Sequence, residues 1–473
     1  MSLDQVGFSL LLLGLGLLVG MGVRLLIKPL QKLYIPTSII TGLLLLALGD
    51  EVLGPLASSW GWSALEEGLF PEHVLEVWDA LPELLISVIF ASLFLGKDMP
   101  GIRKIWKIAG PQLAFGQTVA WGQYVLGILL AVLVLAPFFD MPYATGALIE
   151  ISFAGGHGTA AGLSGTFENI EFEEGLDLAM GLATISMLSG ILLCIALINW
   201  GSRKKQAEHV EEPEERTDDE LKGVVDKDDQ KPAGRITTRA EAIEPLTLHA
   251  GFIAAAILVG YVLLEGLIWL EGVTWGRGSE QAFMEYVPLF VFAMLGSVLI
   301  QIGLKFTGHA DLINQGLMMR LQGWALDFLI VSALATLGLS VIGEYLVPFL
   351  LIAAVGLGWS LFTFLVLASR MMPKHWFERG MSDLGQSLGM TATGLLMLRI
   401  VDPDNRTQSV DSFGYKQLLF EPILGGGLFT ALSMPIIFEL GPYPVLAGTA
   451  VLAIGWLLFG LLHFGRRQAE GEG

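Results

Sequence analysis

Ser152-Phe153-Ala154-Gly155-Gly156-His157-Gly158-Thr159-Ala160-Ala161-Gly162 places three glycines within four positions of a strongly apolar chain. A second stretch, Asp383-Leu384-Gly385-Gln386-Ser387-Leu388-Gly389-Met390-Thr391-Ala392-Thr393-Gly394, again spaces glycine among hydroxyl and amide groups. Glycine lets a backbone turn sharply and lets other groups come close to it. In hydrocarbon every backbone polar group needs a partner, so irregular backbone at membrane depth survives only where it is buried in protein or lines a wet cavity. What these stretches do therefore depends on what surrounds them.

The surroundings are apolar. Of 473 residues, 53% are hydrophobic and 15% charged, against roughly 25% charged in soluble domains. Apolar runs of the length a helix needs to cross a bilayer recur at residues 7–27, 36–48, 80–95, 108–138, 176–200, 248–270, 287–304, 324–345, 347–369, 418–440 and 444–464, about eleven in all. The run at 7–27 lacks a basic segment before it and reads as a retained helix. The net charge of -19 sits in loops and one central segment, which argues against a nucleic-acid partner. Cys194 is the sole cysteine, so no disulfide within the chain and no Cys-based metal site is expected. Trp60, Trp62, Trp106 and Trp200 suit interfacial belts.

Residues 201–244 carry 9 Lys or Arg and 13 Asp or Glu, with Pro213 and Pro232 and almost no large apolar side chains, the composition of a disordered aqueous linker. Lys28 and Lys32, then Lys97, Arg103, Lys104 and Lys107, then Arg203, Lys204 and Lys205 follow alternate crossings, whereas 33–96 and 108–202 contain no Lys or Arg. The positive-inside rule then puts the amino terminus outside and the linker in the cytoplasm. In the second half Lys305, Arg320, Arg370, Lys374, Arg379, Arg399, Arg406 and Lys416 fall on the cytoplasmic side, with Arg277 the exception. Each half runs four helices, a Gly/Thr-rich broken stretch and a fifth helix, and an odd number of crossings inverts the second copy. Pro36 and Pro288 open the second helix of each. The expected fold is an all-α integral membrane protein with two inverted-topology repeats of five transmembrane helices, 1–200 and 245–440. Each repeat holds one re-entrant hairpin, at about 141–167 and 377–401, and 441–473 adds a C-terminal helix and tail.

Hairpins from opposite faces would meet near the midplane, where inverted-repeat transporters hold substrate and ion. A helix starting there, capped by Thr159, aims free N–H groups and a positive dipole end at whatever precedes it, which suits a carboxylate, while exposed carbonyls suit sodium. Asp383 in such a hairpin marks an ion path or an aqueous vestibule. Glu150 has the same two readings. His157 contacts substrate or orients its own loop. Arg399 neutralises a carboxylate through a bidentate contact or anchors the cytoplasmic side. Gln386, Ser387, Thr391 and Thr393 supply ligands or join helices.

Gly155-Gly156-His157-Gly158-Thr159-Ala160-Ala161 resembles the first re-entrant loop of the sodium:glutamate symporter family, which is related more distantly to sodium-citrate carriers. The second loop, from Gly385 to Thr393, matches in outline. The family has a proline there and an Asn a few residues on, whereas this chain has Met390-Thr391-Ala392-Thr393 and Leu396-Met397. The resemblance implies sodium-driven import of a small anionic metabolite such as glutamate, an elevator-like movement, a homodimer and a bacterial cytoplasmic (inner) membrane. It implies substrate contacts among Gly155, Gly156, His157, Gly158, Thr159, Gln386, Ser387, Gly389, Thr391, Thr393 and Arg399. Sodium is the coupling ion, with Asp383, Ser152, Ser387 and Thr391 as ligands, and no further cofactor is expected. A sodium-coupled di- or tricarboxylate carrier is the alternative within this class. An intramembrane enzyme finds no HExxH pair or nucleophile motif, and a ligand sensor finds no signalling domain in the linker.

Overall fold

The computed structural model describes residues 2–32, 35–97, 102–204, 225, 227, 230, 232–239, 241–274, 284, 287–372, 374–402 and 406–465, except for the side chains of Lys32, Ile102, Lys104, Met390, Ala392 and Arg399. Most of the expected linker, with Lys205, lies outside the described residues, as does Arg277. Among the described residues the ordered elements are all helices.

The long apolar runs become helices whose starts carry the usual chemical signals. Helix α1 (Leu3–Leu26) opens with a capping box, in which Gln5 N–H donates to Ser2 Oγ and Ser2 N–H to Gln5 Oε1. Pro36 and Pro71 precede α2 (Thr37–Leu48) and α3 (Glu72–Ser92). Helix α4 (Ile102–Leu130) runs on through a π-helical turn at Ala131–Leu135 and stops at Asp140, which has φ 54°. The first Gly-rich stretch is broken, as expected, into short helices α5 (Leu148–Phe153) and α6 (Gly156–Gly162), and α7 spans Glu174–Arg203. The second half supplies α8 (Pro245–Val273), capped by the Glu244 carboxylate, α9 (Leu289–Phe306), and α10 (Gln315–Ala335), capped by Asn314. After these come α11 (Leu346–Phe362, extended through Thr363–Ala368), α12 (Trp376–Val401), α13 (Ser409–Phe420), α14 (Leu428–Leu440) and α15 (Pro442–Phe459).

Nine of these described helices are long and apolar enough to cross a membrane. The expected crossing at 80–95 falls mostly within α3, which ends at Ser92, carries Glu72, Glu76 and Asp79 in its first half and is not among those nine. Two expected spans need correction. The run at 418–440 is two helices, α13 and α14, because the chain breaks at 421–427, where Gly425 and Gly426 take φ values of 65° and 100° that only glycine adopts freely. The run at 324–345 starts earlier, at Gln315, and its helix ends at Ala335, followed by the short helix Leu339–Glu344.

The second Gly-rich stretch is also a correction in part, for its residues stay helical throughout Trp376–Val401. The stretch nevertheless folds back on itself. A methyl placed on Gly385 would lie 3.1 Å from the Gly394 Cα, and one on Gly394 would lie 2.5 Å from the Ser382 carbonyl oxygen. Along a straight helix, residues 385 and 394 would stand ~13.5 Å apart. Gly385 and Gly394, at the crossing of the two arms, permit this approach.

The chain divides into two compact units, each drawing on both halves of the sequence. Met1–Asp98, Ala161–Gly165 and Arg216–Val341 form one, and Met99–Ala160, Thr166–Glu215 and Ile342–Gly473 the other. In the first, α3 packs against α1, α8, α9 and α10. Trp78, fully buried, donates its indole N–H to the Ser9 carbonyl at 3.0 Å. Helices α8 and α9 touch backbone to backbone at Gly260 and Gly296. The outer faces of α1 and α8 present Leu11, Leu15, Leu18, Leu258, Val262 and Trp269 to the exterior, as lipid requires. In the second unit α4 is central, packing on α5, α11, α12, α13 and α15. There the Trp359 indole lies against Gly122 and donates to the Val119 carbonyl at 2.8 Å.

Two glycines of α9 test the close crossing. A methyl on Gly296 would sit 2.2 Å from the Ala256 carbonyl oxygen, whereas nothing lies within 4 Å of one on Gly303. Gly296→Ala is therefore expected to destabilise the protein by about 1–3 kcal/mol, and Gly303→Ala to leave it unchanged or raise it by about 0.5–1 kcal/mol. Thermal unfolding of the two variants in detergent measures both, and equal melting temperatures would refute the crossing.

Candidate functional site

Asp383 stands in the first arm of α12 and Lys416 in α13, and both are buried, with Lys416 fully enclosed. Lys416 Nζ lies 3.0 Å from Asp383 Oδ1 and donates to Gln386 Oε1 at 2.9 Å. Its ammonium stands 4.0 Å from the Phe420 ring centroid and 5.4 Å from that of Phe413, within the range of a cation–π contact. Gln112 of α4 donates to Asp383 Oδ2 at 2.8 Å and to Ser382 Oγ at 3.0 Å. Gly116, one turn further along α4, makes room for the pair, since a methyl there would lie 2.5 Å from Lys416 Cε and 3.3 Å from Asp383 Oδ1.

Beside this pair is a recess lined by Gly116, Val119, Ala120, Gln123, Ala154, Asp383, Gln386, Ser387 and Phe420. It has no room for a water molecule, so any guest must displace a lining element. Unpartnered polar atoms occur on several of the elements that bear the site: Gln112 Oε1, Gln123 Oε1, Ser152 Oγ and Gln417 Oε1 are buried without a hydrogen bond. Buried polar groups are normally satisfied, and a group of such oxygens is the kind of surface a cation or a polar ligand completes.

The break at 421–427 is tied to the first Gly-rich stretch. Glu150, fully buried, accepts from Tyr124 Oη at 2.6 Å, Gly425 N–H at 2.7 Å and Thr430 Oγ1 at 3.1 Å. A methyl on Gly425 would lie 3.5 Å from Gln386 Nε2 and 3.6 Å from the Ala154 carbonyl. Three irregular pieces of backbone therefore meet around the recess. At the fold-back of α12, the Ser387 and Leu388 carbonyls accept from Gln123 Nε2 (3.3 Å) and Ser186 Oγ (2.9 Å). Thr391 Oγ1 donates to Glu421 Oε1 at 2.8 Å, and Gln417 bonds to both.

The residues expected from the sequence divide. Asp383, Gln386 and Ser387 line the recess, the Ser387 hydroxyl donating to the Leu384 carbonyl. Ser152 is buried on α5. Thr391 faces Glu421 and Gln417, and Thr393 bonds back to the Gly389 carbonyl within its own arm. His157 is held by α7 through Thr184 Oγ1 at 2.9 Å and is not among the lining residues. Since the Thr184 hydroxyl donates to the Met180 carbonyl, the imidazole Nε2 carries the proton of this bond. Thr159 Oγ1 donates to the Gly155 carbonyl at 3.0 Å, so these two fix the turn together with Gly156, at φ 71°, and Gly158 continues into α6. The Arg399 side chain lies outside the described residues.

Sequence reasoning missed the cation. Its sequence position places Lys416 among cytoplasmic loop charges, but it is wholly enclosed and paired, so it carries no topological information. Its flanking Phe413 and Phe420, and the glutamines at 112, 117 and 123 within the apolar run 108–138, are the available signals. Among the described residues Lys416 is the one fully buried Lys or Arg.

No curated protein matches the chain. The family model described as sodium/glutamate symporter matches residues 2–402, a span that holds both Gly-rich stretches and Asp383 and stops short of Lys416. With most of its length matched, and with apolar helices throughout, the chain belongs to the sodium/glutamate symporter family.

Proposed function

We propose that the protein imports glutamate with sodium across a bacterial cytoplasmic membrane, binding the substrate in the recess beside Lys416. The observation that carries this reading is the buried ammonium of Lys416 among amide, carboxylate and aromatic groups, next to glycine-shaped backbone in a family of sodium/glutamate symporters. An anionic amino acid needs a desolvated cation, and Lys416 supplies one. Hard oxygen atoms suit sodium, and Asp383, Ser152, Ser387, Thr391 and the free carbonyl of Gln112 are of that kind.

The same reading makes the stretches 141–167 and 377–401 re-entrant hairpins of two inverted repeats, with the amino terminus outside. The fold-back between Gly385 and Gly394 supports the second of these. A division into two units, with the polar recess built from residues of one of them, supports an elevator movement in which that unit carries the substrate. The other unit would form the homodimer through its apolar helices.

Proteoliposomes holding the purified protein are expected to accumulate labelled glutamate when a sodium gradient is imposed and to stop when it is collapsed. Competition by aspartate, citrate and malate reports the substrate. Absence of sodium-dependent uptake of every acidic amino acid and carboxylate would end the proposal, and preferential uptake of citrate would move it to the carboxylate carriers. Lys416→Gln is expected to raise the half-saturating glutamate concentration by about 30-fold or more, since the substrate loses a desolvated charge partner. An unchanged value would remove Lys416 from the site.

The orientation has its own test. With Cys194→Ser removing the sole cysteine, Ser63→Cys and Lys305→Cys each introduce one exposed thiol. A membrane-impermeant maleimide should label the first on intact cells and the second only after permeabilisation. The opposite pattern would invert the topology.

A further inference from the structure

Resting on the reading of Lys416 as the substrate's counter-charge, we infer that sodium and substrate are coupled by an exchange of partners at the Lys416–Asp383 pair. The arriving carboxylate takes Lys416 from Asp383, and the coupling sodium takes Asp383. Each state then contains as many buried positive as negative charges as the other. Substrate alone would leave Asp383 buried beside an added anion, and sodium alone would add an unbalanced cation; either is costly in a desolvated interior. Together they leave two neutral pairs, Lys416 with substrate and Asp383 with sodium. Coupling of this kind needs no long-range signal, because the two sites share one ion pair.

Three features of the geometry point to exchange and away from a fixed structural bridge. Lys416 Nζ donates to Gln386 Oε1 at 2.9 Å as well as standing 3.0 Å from Asp383 Oδ1, so the ammonium keeps a neutral oxygen partner when the carboxylate contact is given up. Asp383 and Gln386, the ammonium's two oxygen partners, line the recess while Lys416 itself does not, so a second carboxylate entering there reaches the ammonium only as these partners give way. Gln112 already holds the other oxygen, Oδ2, at 2.8 Å and carries a buried, unpartnered Oε1. A freed Asp383 with the Gln112 carbonyl nearby is a hard-oxygen pair suited to sodium. Arg379, one turn before Asp383, and Glu421, near Lys416, also act on the pair, but both are present in either state and leave the balance of the exchange unchanged.

The test measures glutamate binding to the purified full-length protein in detergent, in sodium and with choline in its place, together with the melting temperature under each condition. Wild type should bind glutamate at least about fivefold more tightly in sodium, the low end of ordinary coupling between sites. Asp383→Asn leaves Lys416 free for the substrate and removes the carboxylate that sodium would take, so its glutamate affinity should be equal in sodium and choline. Lys416→Met leaves Asp383 without the ammonium, so sodium without glutamate should raise its melting temperature and should leave that of wild type unchanged. Sodium dependence retained by Asp383→Asn, or no sodium stabilisation of Lys416→Met, overturns the exchange. If both single variants fail to fold while Asp383→Asn with Lys416→Met folds, the pair is structural only and the exchange is likewise overturned. Loss of sodium-dependent glutamate binding in wild type itself would instead overturn the functional reading.

Discussion

The ion pair of Lys416 and Asp383 is the interaction around which the rest of the site-bearing unit is arranged. Two desolvated charges lose several kcal/mol of hydration each, and removing one partner of such a pair typically costs roughly 3–5 kcal/mol. The surroundings offset that loss with a second oxygen from Gln386, a donor from Gln112 and the faces of Phe420 and Phe413. Gly116 is the steric condition for all of it, since the α4 backbone must lie against the Lys416 stem. Replacement of both charges by apolar side chains is often neutral for stability, so stability alone gives little reason for the pair.

A second constraint is backbone satisfaction. Where helices break inside an apolar unit, the freed N–H and carbonyl groups must be met by side chains. The carbonyls of Ser387 and Leu388 are met by Gln123 and Ser186, and the N–H of Gly425 by Glu150. These partners come from α4, α7 and α5, so the irregular segments are fixed by regular ones. The same bonds bring the first Gly-rich stretch, the fold-back of α12 and the break at 421–427 to one place.

Helix existence was legible in the sequence because apolar runs of sufficient length have few other outcomes, and the first Gly-rich stretch was legible because three glycines in four positions disfavour helix. The break at 421–427 was not, although Gly425-Gly426-Gly427 stood in plain view, because average hydropathy does not register φ. The fold-back of α12 had the opposite difficulty. Its glycines looked like interruptions, yet Gly385 and Gly394 serve a close approach of two helical arms whose own hydrogen bonding persists. Lys416 was assigned by a rule that treats every Lys near a helix end as a loop charge, and only burial separates a paired cation from a solvated one. His157, conspicuous in sequence, spends its ring nitrogen on Thr184.

The abundance of glutamine at the site follows from the same electrostatics. Gln112, Gln123, Gln386 and Gln417 each bring a donor and an acceptor without adding charge. A site that holds an ammonium and a carboxylate together, and on the proposed reading accepts further ions of both signs, cannot be lined with more fixed charges without leaving some unpaired when it is empty. An amide avoids this, because a half-turn about its last torsion exchanges a donor for an acceptor at nearly constant shape. Gln112 now offers its N–H groups to Asp383 and Ser382 and keeps its carbonyl unpartnered; turned over, it would present that carbonyl to a cation held by Asp383. Gln386 accepts from the ammonium through its oxygen, while its nitrogen is directed toward the backbone of Gly425. Neutral groups that can reverse their polarity would let such a site meet ions of either sign without adding a fixed charge.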